Sequence, residues 1–125
     1  MRVLIVDDDS TTSELTAECL MMDESVLTRT AGDGATAMRT TIEFKPDVIL
    51  LDIELPDASG LELAPRLKTL CPDNTPRVVI FSGSVRLADS VVLPIGVDAW
   101  LTKPAHLDTL LDTIFRPTGS RSRPL

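Results

Sequence analysis

The sequence predicts a single α/β domain with a parallel sheet, because short apolar runs alternate with segments of helical periodicity. Each run is β-branched or continuously apolar, which is typical of central strands that are buried on both faces. The chain has 125 residues, the size of one domain with one hydrophobic core. The five predicted strands are Val3–Val6, Val26–Thr30, Val48–Leu51, Val78–Phe81 and Ala99–Leu101.

The first helical segment follows the first strand and carries both a start signal and an apolar face. Thr11 and Glu14 have the spacing of a capping box, in which the two residues satisfy backbone N–H groups of the first turn. Leu15, Cys19 and Met22 share one side of a helix, so we expect them to face the sheet.

The later helical segments have clearer apolar faces and contain two prolines. Ser59 and Glu62 repeat the capping-box spacing at the start of the third helix. Pro65 lies beyond the first turn of that helix and should kink it or delay its regular start. Pro94 should end a helix between the fourth and fifth strands near Leu93. The apolar faces of the third and last helices are formed by Leu63, Leu67 and Leu70 and by Leu107, Leu110, Leu111 and Ile114.

Charge and cysteine content limit the classes of partner and compartment. The net charge of −7 argues against binding to nucleic acid or an anionic membrane through bulk charge. Cys19 and Cys71 lack metal-ligand spacing, so we expect two small buried thiols in a reducing compartment. No apolar stretch has the length of a signal peptide or a membrane span. We therefore expect a cytoplasmic protein.

Polar residues with chemical capability follow four of the five predicted strands. Asp7 and Asp8 follow the first strand, Asp52 the third, Ser82 the fourth and Lys103 the fifth. The carboxyl ends of parallel strands meet at one edge of the sheet, where α/β proteins bind ligands. Clustered carboxylates suit Mg²⁺, for which Mn²⁺ can substitute, and the lysine and hydroxyl suit a phosphoryl group. Acidic residues that merely end loops are the simpler alternative.

Four segments together resemble the receiver domain of two-component response regulators over roughly residues 2–115. They are "VLIVDDDS", "PDVILLDIELPDASGLEL", "VVIFSGS" and "GVDAWLTKP", in the family's order and near its spacing. The resemblance implies a flavodoxin-like (βα)₅ fold, a doubly wound parallel sheet with strand order 2-1-3-4-5. Residues 1–115 would then form the receiver domain, and residues 116–125 a flexible tail or linker stub.

The resemblance also implies a phosphorylation site and a metal site. Asp52 would be the phosphorylated aspartate and a metal ligand. Asp8 would bind Mg²⁺ directly, Asp7 would act through water and charge, and the backbone carbonyl of Glu54 would supply a further oxygen. The Glu54 side chain would lie beside the phosphoryl group and affect how fast water removes it. Asp9 has no role in this scheme, and we expect it at the mouth of the site or near the helix start, where its charge favours the helix dipole.

A second group of residues would bind the phosphoryl group and respond to it. By resemblance, Ser82 is the switch hydroxyl, Lys103 pairs with the phosphoryl group, and Gly83 leaves the site open to the donor. Trp100 occupies the position of the switch aromatic, which moves inward when the hydroxyl is drawn to the phosphate. The bond from Lys103 to Pro104 would be cis.

Partners follow from the same resemblance. The phosphoryl donor would be a histidine kinase, a phosphotransfer protein or a small phosphodonor. Phosphorylation would change the surface of the fourth helix, fifth strand and last helix, which an output domain, a downstream protein or a second copy of the chain could use. The domain itself would bind neither nucleic acid nor membrane, and it would not be an enzyme beyond assisting its own phosphorylation and dephosphorylation.

Other functions remain open at this point. A degenerate receiver would act only as a protein-interaction module, although all its phosphorylation residues are present. A phosphohydrolase of the haloacid-dehalogenase type would need an aspartate where Glu54 stands, together with a cap domain. A flavin-binding protein would need a phosphate-binding loop after the first strand. We expect His106 to be a surface or capping residue, and Asp57 and Asp98 to form a loop and a turn.

Overall fold

The computed structural model of the chain describes residues 1–83 and 93–116, which contain a five-stranded parallel sheet. The strand order is β2-β1-β3-β4-β5, so the predicted order and the flavodoxin-like fold are confirmed. The strands are β1 (Arg2–Val6), β2 (Leu27–Ala31), β3 (Val48–Leu51), β4 (Arg77–Ser82) and β5 (Ala99–Thr102). The helices are α1 (Ser10–Leu20), α2 (Gly34–Phe44), α3 (Gly60–Lys68) and α4 (Leu107–Phe115), with a 3₁₀ turn at Pro72–Asn74.

Helices cover both faces of the sheet, and each face has its own aliphatic core. On one face α2 and α3 place Ala37 and Leu63 against Leu4 and Ile49. The other face carries α1 and α4, which place Leu20 and Ile114 in a second cluster. The apolar faces predicted for α3 and α4 therefore face the core.

Only the three middle strands are buried on both faces, which corrects the expectation that all five are. Every residue of β3 and β4 is buried, as is β1 beyond Arg2. Strand β2 lies at one edge of the sheet, and Leu27 in it is 59% exposed. Strand β5 forms the other edge and is only partly buried. The apolar runs predict a strand, but neighbours in the sheet decide how deeply it is buried.

The predicted sheet-facing side of α1 is wrong. Leu15, Cys19 and Met22 are exposed, while Ala17 and Leu20 reach the core together with Ser13 and Thr16, both of which are buried. Helix α1 has apolar residues on two sides, and the sheet packs against the side with the smaller residues. The expectation of two buried thiols therefore holds for Cys71 and fails for Cys19.

The start of α1 also differs from the predicted capping box. Helix α1 begins at Ser10, and the side chain of Asp9 accepts a hydrogen bond from the Thr12 amide at 3.2 Å. Thr11 lies inside the first turn, where it cannot act as the cap. The expectation that Asp9 lies near the helix start is confirmed.

The start of α3 agrees better with the sequence. Ser59 is the N-cap, and its hydroxyl accepts from the Leu61 amide at 3.2 Å. Pro65 does not delay the helix, which begins at Gly60 and continues through the proline. Gly96 has a φ of 82°, and a Cβ at that position would lie 2.7 Å from Pro65. The chain leading to β5 thus packs closely against α3 because residue 96 is glycine.

Two expectations fall outside the described residues. The helix predicted between β4 and Pro94 would occupy residues 84–92, and most of the predicted tail occupies residues 117–125. Among the helices within residues 1–83 and 93–116, none is long and apolar enough to cross a membrane.

Candidate functional site

Three carboxylates converge at the carboxyl ends of β1 and β3. Hydrogen bonds extend the strand pairing past the strand ends, from the Asp7 amide to the Ala31 carbonyl and from the Asp52 amide to the Val6 carbonyl, both at 2.9 Å. This register places carboxylate oxygens of Asp7, Asp8 and Asp52 within 4.8 Å of one another. Asp7 is buried, Asp52 is partly buried and Asp8 is exposed. The juxtaposition expected from the strand order is therefore present.

Lys103 supplies the positive charge of the cluster. It follows β5, where its amide donates to the Ser82 carbonyl at 2.9 Å, and its Nζ donates to the Asp7 carboxylate. The same Nζ lies 3.5 Å from Oδ2 of Asp52. Burial alone would lower the pKa of Lys103, but the hydrogen bond to Asp7 and the charges of Asp52 and Asp7 outweigh it and raise that pKa. Lys103 is therefore held as a cation.

The charges of the cluster fit a divalent cation. Three carboxylates and one ammonium group leave two negative charges in excess. Asp7 is already engaged, since it bonds both Lys103 and the Asp9 amide. Asp8 is exposed and forms no salt bridge with the part of the chain that the structure describes. Hard oxygen ligands that are few and partly exposed suit Mg²⁺, which retains several of its waters.

The remaining predicted residues lie in β4 and β5 or directly after these strands. Ser82 ends β4 and is buried beside Thr102 in the neighbouring strand. Gly83 is exposed, and no atom of the described residues lies within 4 Å of the position that a Cβ would take there. Trp100 lies in β5 and packs, partly buried, against the core cluster of α2 and α3. The Lys103–Pro104 peptide bond is cis, as the resemblance implies.

The loop after Asp52 is folded tightly onto the end of β3. The Gly60 amide donates to the Ile53 carbonyl at 2.6 Å, and Glu54 and Ser59 form an antiparallel bridge. A Cβ on residue 60 would lie 2.1 Å from the Asp52 carbonyl oxygen, so only glycine fits there. The loop thus doubles back on itself directly after Asp52, and the metal-binding role expected of the Glu54 carbonyl stays a prediction.

Asp57 and Asp98 have structural roles beyond those expected from the sequence, whereas His106 is a surface residue, as expected. Asp57 is not simply a loop former, since its carboxylate accepts from the Gly34 and Ala35 amides at 2.7 and 3.0 Å. Asp98 accepts from the Val78 amide at 2.8 Å and pairs with a lysine of α3. Both contacts join residues 20 or more positions apart, a separation that no local motif reports. His106 is exposed and precedes α4 without a side-chain cap bond.

An apolar cavity of about 390 Å³ opens beside the cluster, between α1 and the start of α4. Its lining includes Leu15 and Cys19 from the exposed side of α1, together with Phe81, Lys103 and Pro104. Lys103 therefore joins the two features, because its Nζ reaches the carboxylates while its stem borders the cavity.

Comparisons with known proteins agree on one family. A model of the response regulator receiver domain matches residues 3–115. The cell cycle response regulator CtrA of Brucella ovis is 36% identical over 91% of this chain and 48% of its own. A CheY-like response regulator receiver domain protein from Methanospirillum hungatei is 31% identical, with a TM-score of 0.78 over 90% of this chain and 89% of its own.

A third relative was solved in a modified state. This response regulator from Burkholderia pseudomallei, with a phosphorylated aspartic acid, calcium ion and citrate, is 27% identical. Its TM-score is 0.79 over 90% of this chain and 65% of its own. The present chain spans about half the length of the curated relatives it matches.

Proposed function

The chain belongs to the response regulator receiver family of two-component systems, and we propose that it is a phosphoacceptor switch in such a system. Asp52 accepts a phosphoryl group in a Mg²⁺-dependent reaction, and the resulting aspartyl phosphate changes the surface around β5 and α4. The observation that carries this proposal is the convergence of Asp7, Asp8, Asp52 and Lys103 at one edge of the sheet.

The chemistry is transfer of a phosphoryl group to a carboxylate. An oxygen of Asp52 forms a bond to phosphorus while the bond from phosphorus to the donor's leaving group breaks, and the leaving group takes up a proton from solvent. Oδ1 accepts from the Ile53 amide at 2.8 Å, which fixes the plane of the carboxylate, while Oδ2 faces Lys103. Asp8, Asp52 and the Glu54 carbonyl would hold Mg²⁺, with Asp7 acting through water, and the bound cation would offset the charge of the phosphoryl oxygens.

Lys103 and Ser82 act on the phosphoryl group once it is attached. Lys103 exchanges its contact with the Asp52 carboxylate for one with a phosphoryl oxygen, and its raised pKa keeps it charged for this role. Ser82 donates a hydrogen bond to another phosphoryl oxygen. Movement of Ser82 toward the phosphate draws Trp100 inward, and the outer face of β5 changes as a result.

The donor is proposed to be a histidine kinase or a phosphotransfer protein, with small phosphodonors as substitutes. The exposed apolar side of α1 supports a protein donor, because Leu15 is 58% exposed and borders the cavity beside Lys103. Because the proposed donor is a histidine kinase or a phosphotransfer protein, the proposed location of the chain is the cytoplasm. An output domain or a separate target reads the changed surface, and a homodimer through β5 and α4 stays a prediction. The domain boundary at residue 115 and the linker role of residues 116–125 also stay predictions.

The experiment follows the fluorescence of Trp100, the only tryptophan. Beryllofluoride, a stable mimic of the phosphoryl group, is titrated in the presence of Mg²⁺ into the wild-type protein and Asp52→Asn. We expect a saturable change in the wild type and none in the variant. A flat titration of the wild type, together with no mass gain from acetyl phosphate, would contradict the proposal.

Two alternatives have distinct signatures. A degenerate receiver would signal equally well as Asp52→Asn, because its partner would bind the unmodified surface. A phosphohydrolase would turn over small phosphomonoesters, which requires a general acid that Glu54 does not match. Multiple turnover of such an ester would replace the switch proposal with an enzyme.

A further inference from the structure

The tip of the loop after Asp52 is tied to a different part of the fold. Both carboxylate oxygens of Asp57 are used, since Oδ1 accepts from the Gly34 amide at 2.7 Å and Oδ2 from the Ala35 amide at 3.0 Å. These amides begin α2, so a loop that leaves β3 is anchored to a helix that follows β2. We propose that Asp57 is a positioning residue that holds this loop in the shape required for cation binding. The inference rests on the proposed function.

The loop has one anchor at its base and one at its tip. At the base Gly60 lies against the Asp52 carbonyl, and its amide bonds Ile53. A weaker backbone bond of 3.2 Å, from the Leu55 amide to the Ala58 carbonyl, closes the tip on itself. Glu54 is exposed and lies between the two anchors, and its backbone is paired with Ser59 across the loop. We expect the loss of Asp57 to weaken this pairing, since Asp57 holds the tip on which the Leu55–Ala58 bond closes.

The contact between Asp57 and the start of α2 is favourable because of the backbone amides that are exposed there. The first backbone amides of a helix have no partner within the helix, and the helix dipole places partial positive charge there. The carboxylate of Asp57 satisfies two of these amides and brings a negative charge to that end. The hydrogen bonds and the charge of Asp57 stabilise the start of α2. The same bonds restrict the position of the loop that carries Asp57.

Helix α2 also supplies a matched control. Asp33 caps the same helix end from its own segment, and its carboxylate accepts from the Thr36 amide at 2.7 Å. Asp33 and Asp57 thus both cap α2 with a carboxylate. They differ in that Asp57 lies in the loop after Asp52 and Asp33 does not. If capping is the only contribution of Asp57, its loss should resemble the loss of Asp33. If the loop position matters, the two variants should differ in cation binding.

The experiment compares wild type, Asp57→Ala, Asp57→Asn and Asp33→Ala in the full chain. Isothermal titration calorimetry gives the Mg²⁺ dissociation constant, and amide hydrogen exchange of the peptide covering residues 53–59 is measured without metal. We expect Asp57→Ala to weaken Mg²⁺ binding about tenfold, the lower end of the loss seen when a residue supporting a metal ligand is removed. Exchange of the loop peptide should rise at the same time.

The other variants separate the explanations. Asp57→Asn retains one acceptor oxygen and should fall between wild type and Asp57→Ala, and it serves as the test if Asp57→Ala does not fold. Asp33→Ala should lower thermal stability and leave Mg²⁺ binding unchanged. Equal effects of Asp33→Ala and Asp57→Ala on the dissociation constant would overturn the inference, as would unchanged loop exchange. If the wild type itself does not bind Mg²⁺, the proposed function fails, and loop exchange still decides whether Asp57 holds the loop.

Discussion

The charged side chains at the two ends of the sheet differ in whether they have fixed partners. At the carboxyl end three carboxylates share one ammonium group, that of Lys103. At the amino end, Arg77 is buried and donates to the Thr113 carbonyl at 2.7 Å. Asp98, also at that end, lies 2.5 Å from Lys68 and accepts from the Val78 amide. These two charged side chains at the amino end therefore have fixed partners within the fold, whereas the cluster at the carboxyl end keeps an excess of negative charge.

This difference separates residues that stabilise the fold from residues that serve its function. A buried charge is tolerated when it has fixed partners, and burial lowers the pKa of the Arg77 guanidinium without removing its role as a donor. Like charges held together oppose folding, and the proposed cation site gives a reason for the convergence of Asp7, Asp8 and Asp52. Substitutions at the carboxyl end should accordingly change phosphorylation, and substitutions at the amino end should change the free energy of unfolding.

The largest effect is expected from Asp8→Ala at the carboxyl end. Asp8 is the proposed direct metal ligand, so its loss should reduce Mg²⁺-dependent phosphorylation by more than about 100-fold, since even residues that support a ligand contribute about 10- to 100-fold. Asp9→Ala is the neighbouring control, because Asp9 caps α1, and it should leave phosphorylation largely intact. Acetyl phosphate labelling followed by intact mass measures both. Equal loss in the two variants would mean that the cluster acts through bulk charge.

Arg77→Met at the amino end should change stability without changing function. The variant loses a hydrogen bond from a charged donor, and we expect the free energy of unfolding to fall by about 2 kcal/mol. Urea denaturation measures the loss, and phosphorylation below the unfolding transition should be unchanged. Arg116→Met is the control, since its exposed pair with Asp112 contributes only about 0.5 kcal/mol. A strong effect of Arg77→Met on phosphorylation of the folded protein would contradict the division between the two ends.

Glu54→Ala should have a moderate effect confined to the lifetime of the phosphorylated state. The Glu54 side chain is exposed next to Asp52, where it can influence the approach of water to the aspartyl phosphate. We expect the lifetime to change several-fold while phosphorylation still occurs. Glu62→Ala, an exposed acid in the first turn of α3, is the matched control and should have no effect. An unchanged lifetime in Glu54→Ala would refute the role.

The smallest effect concerns Asp33, a carboxylate at the carboxyl end that does have fixed partners. Hydrogen bonds from the Thr36 amide and hydroxyl lower the pKa of Asp33 below its ordinary value of 3.8. Its contribution to stability is therefore present above pH 3.8 and is lost as the pH falls through the lowered pKa. Asp33→Asn keeps a good cap and removes the titration, so the variant should match the wild type near neutral pH. Acid unfolding of Asp33→Asn should be less steep, and identical acid curves would contradict this.

The sequence predicts the site better than it predicts the packing around it. Continuous apolar runs followed at once by Asp7, Asp8 and Asp52 predict both the strands and the convergence of the three carboxylates, because parallel strands bring their ends together. The face of α1 could not be chosen in the same way, since Leu15 and Leu20 lie on different sides and only contact with the sheet selects one. Pattern alone also could not reveal the tie from Asp57 to α2, which depends on how distant segments pack.

The proposed switch depends above all on phosphorylation of Asp52, which mass spectrometry detects directly. The wild-type protein and Asp52→Asn are incubated with acetyl phosphate, with and without Mg²⁺, and any modified residue is located by fragmentation. We predict that the wild type gains one phosphoryl group, located on Asp52, only when Mg²⁺ is present, and that the variant gains none. Equal labelling of Asp52→Asn, or no labelling of a folded wild-type protein that binds Mg²⁺, would contradict it.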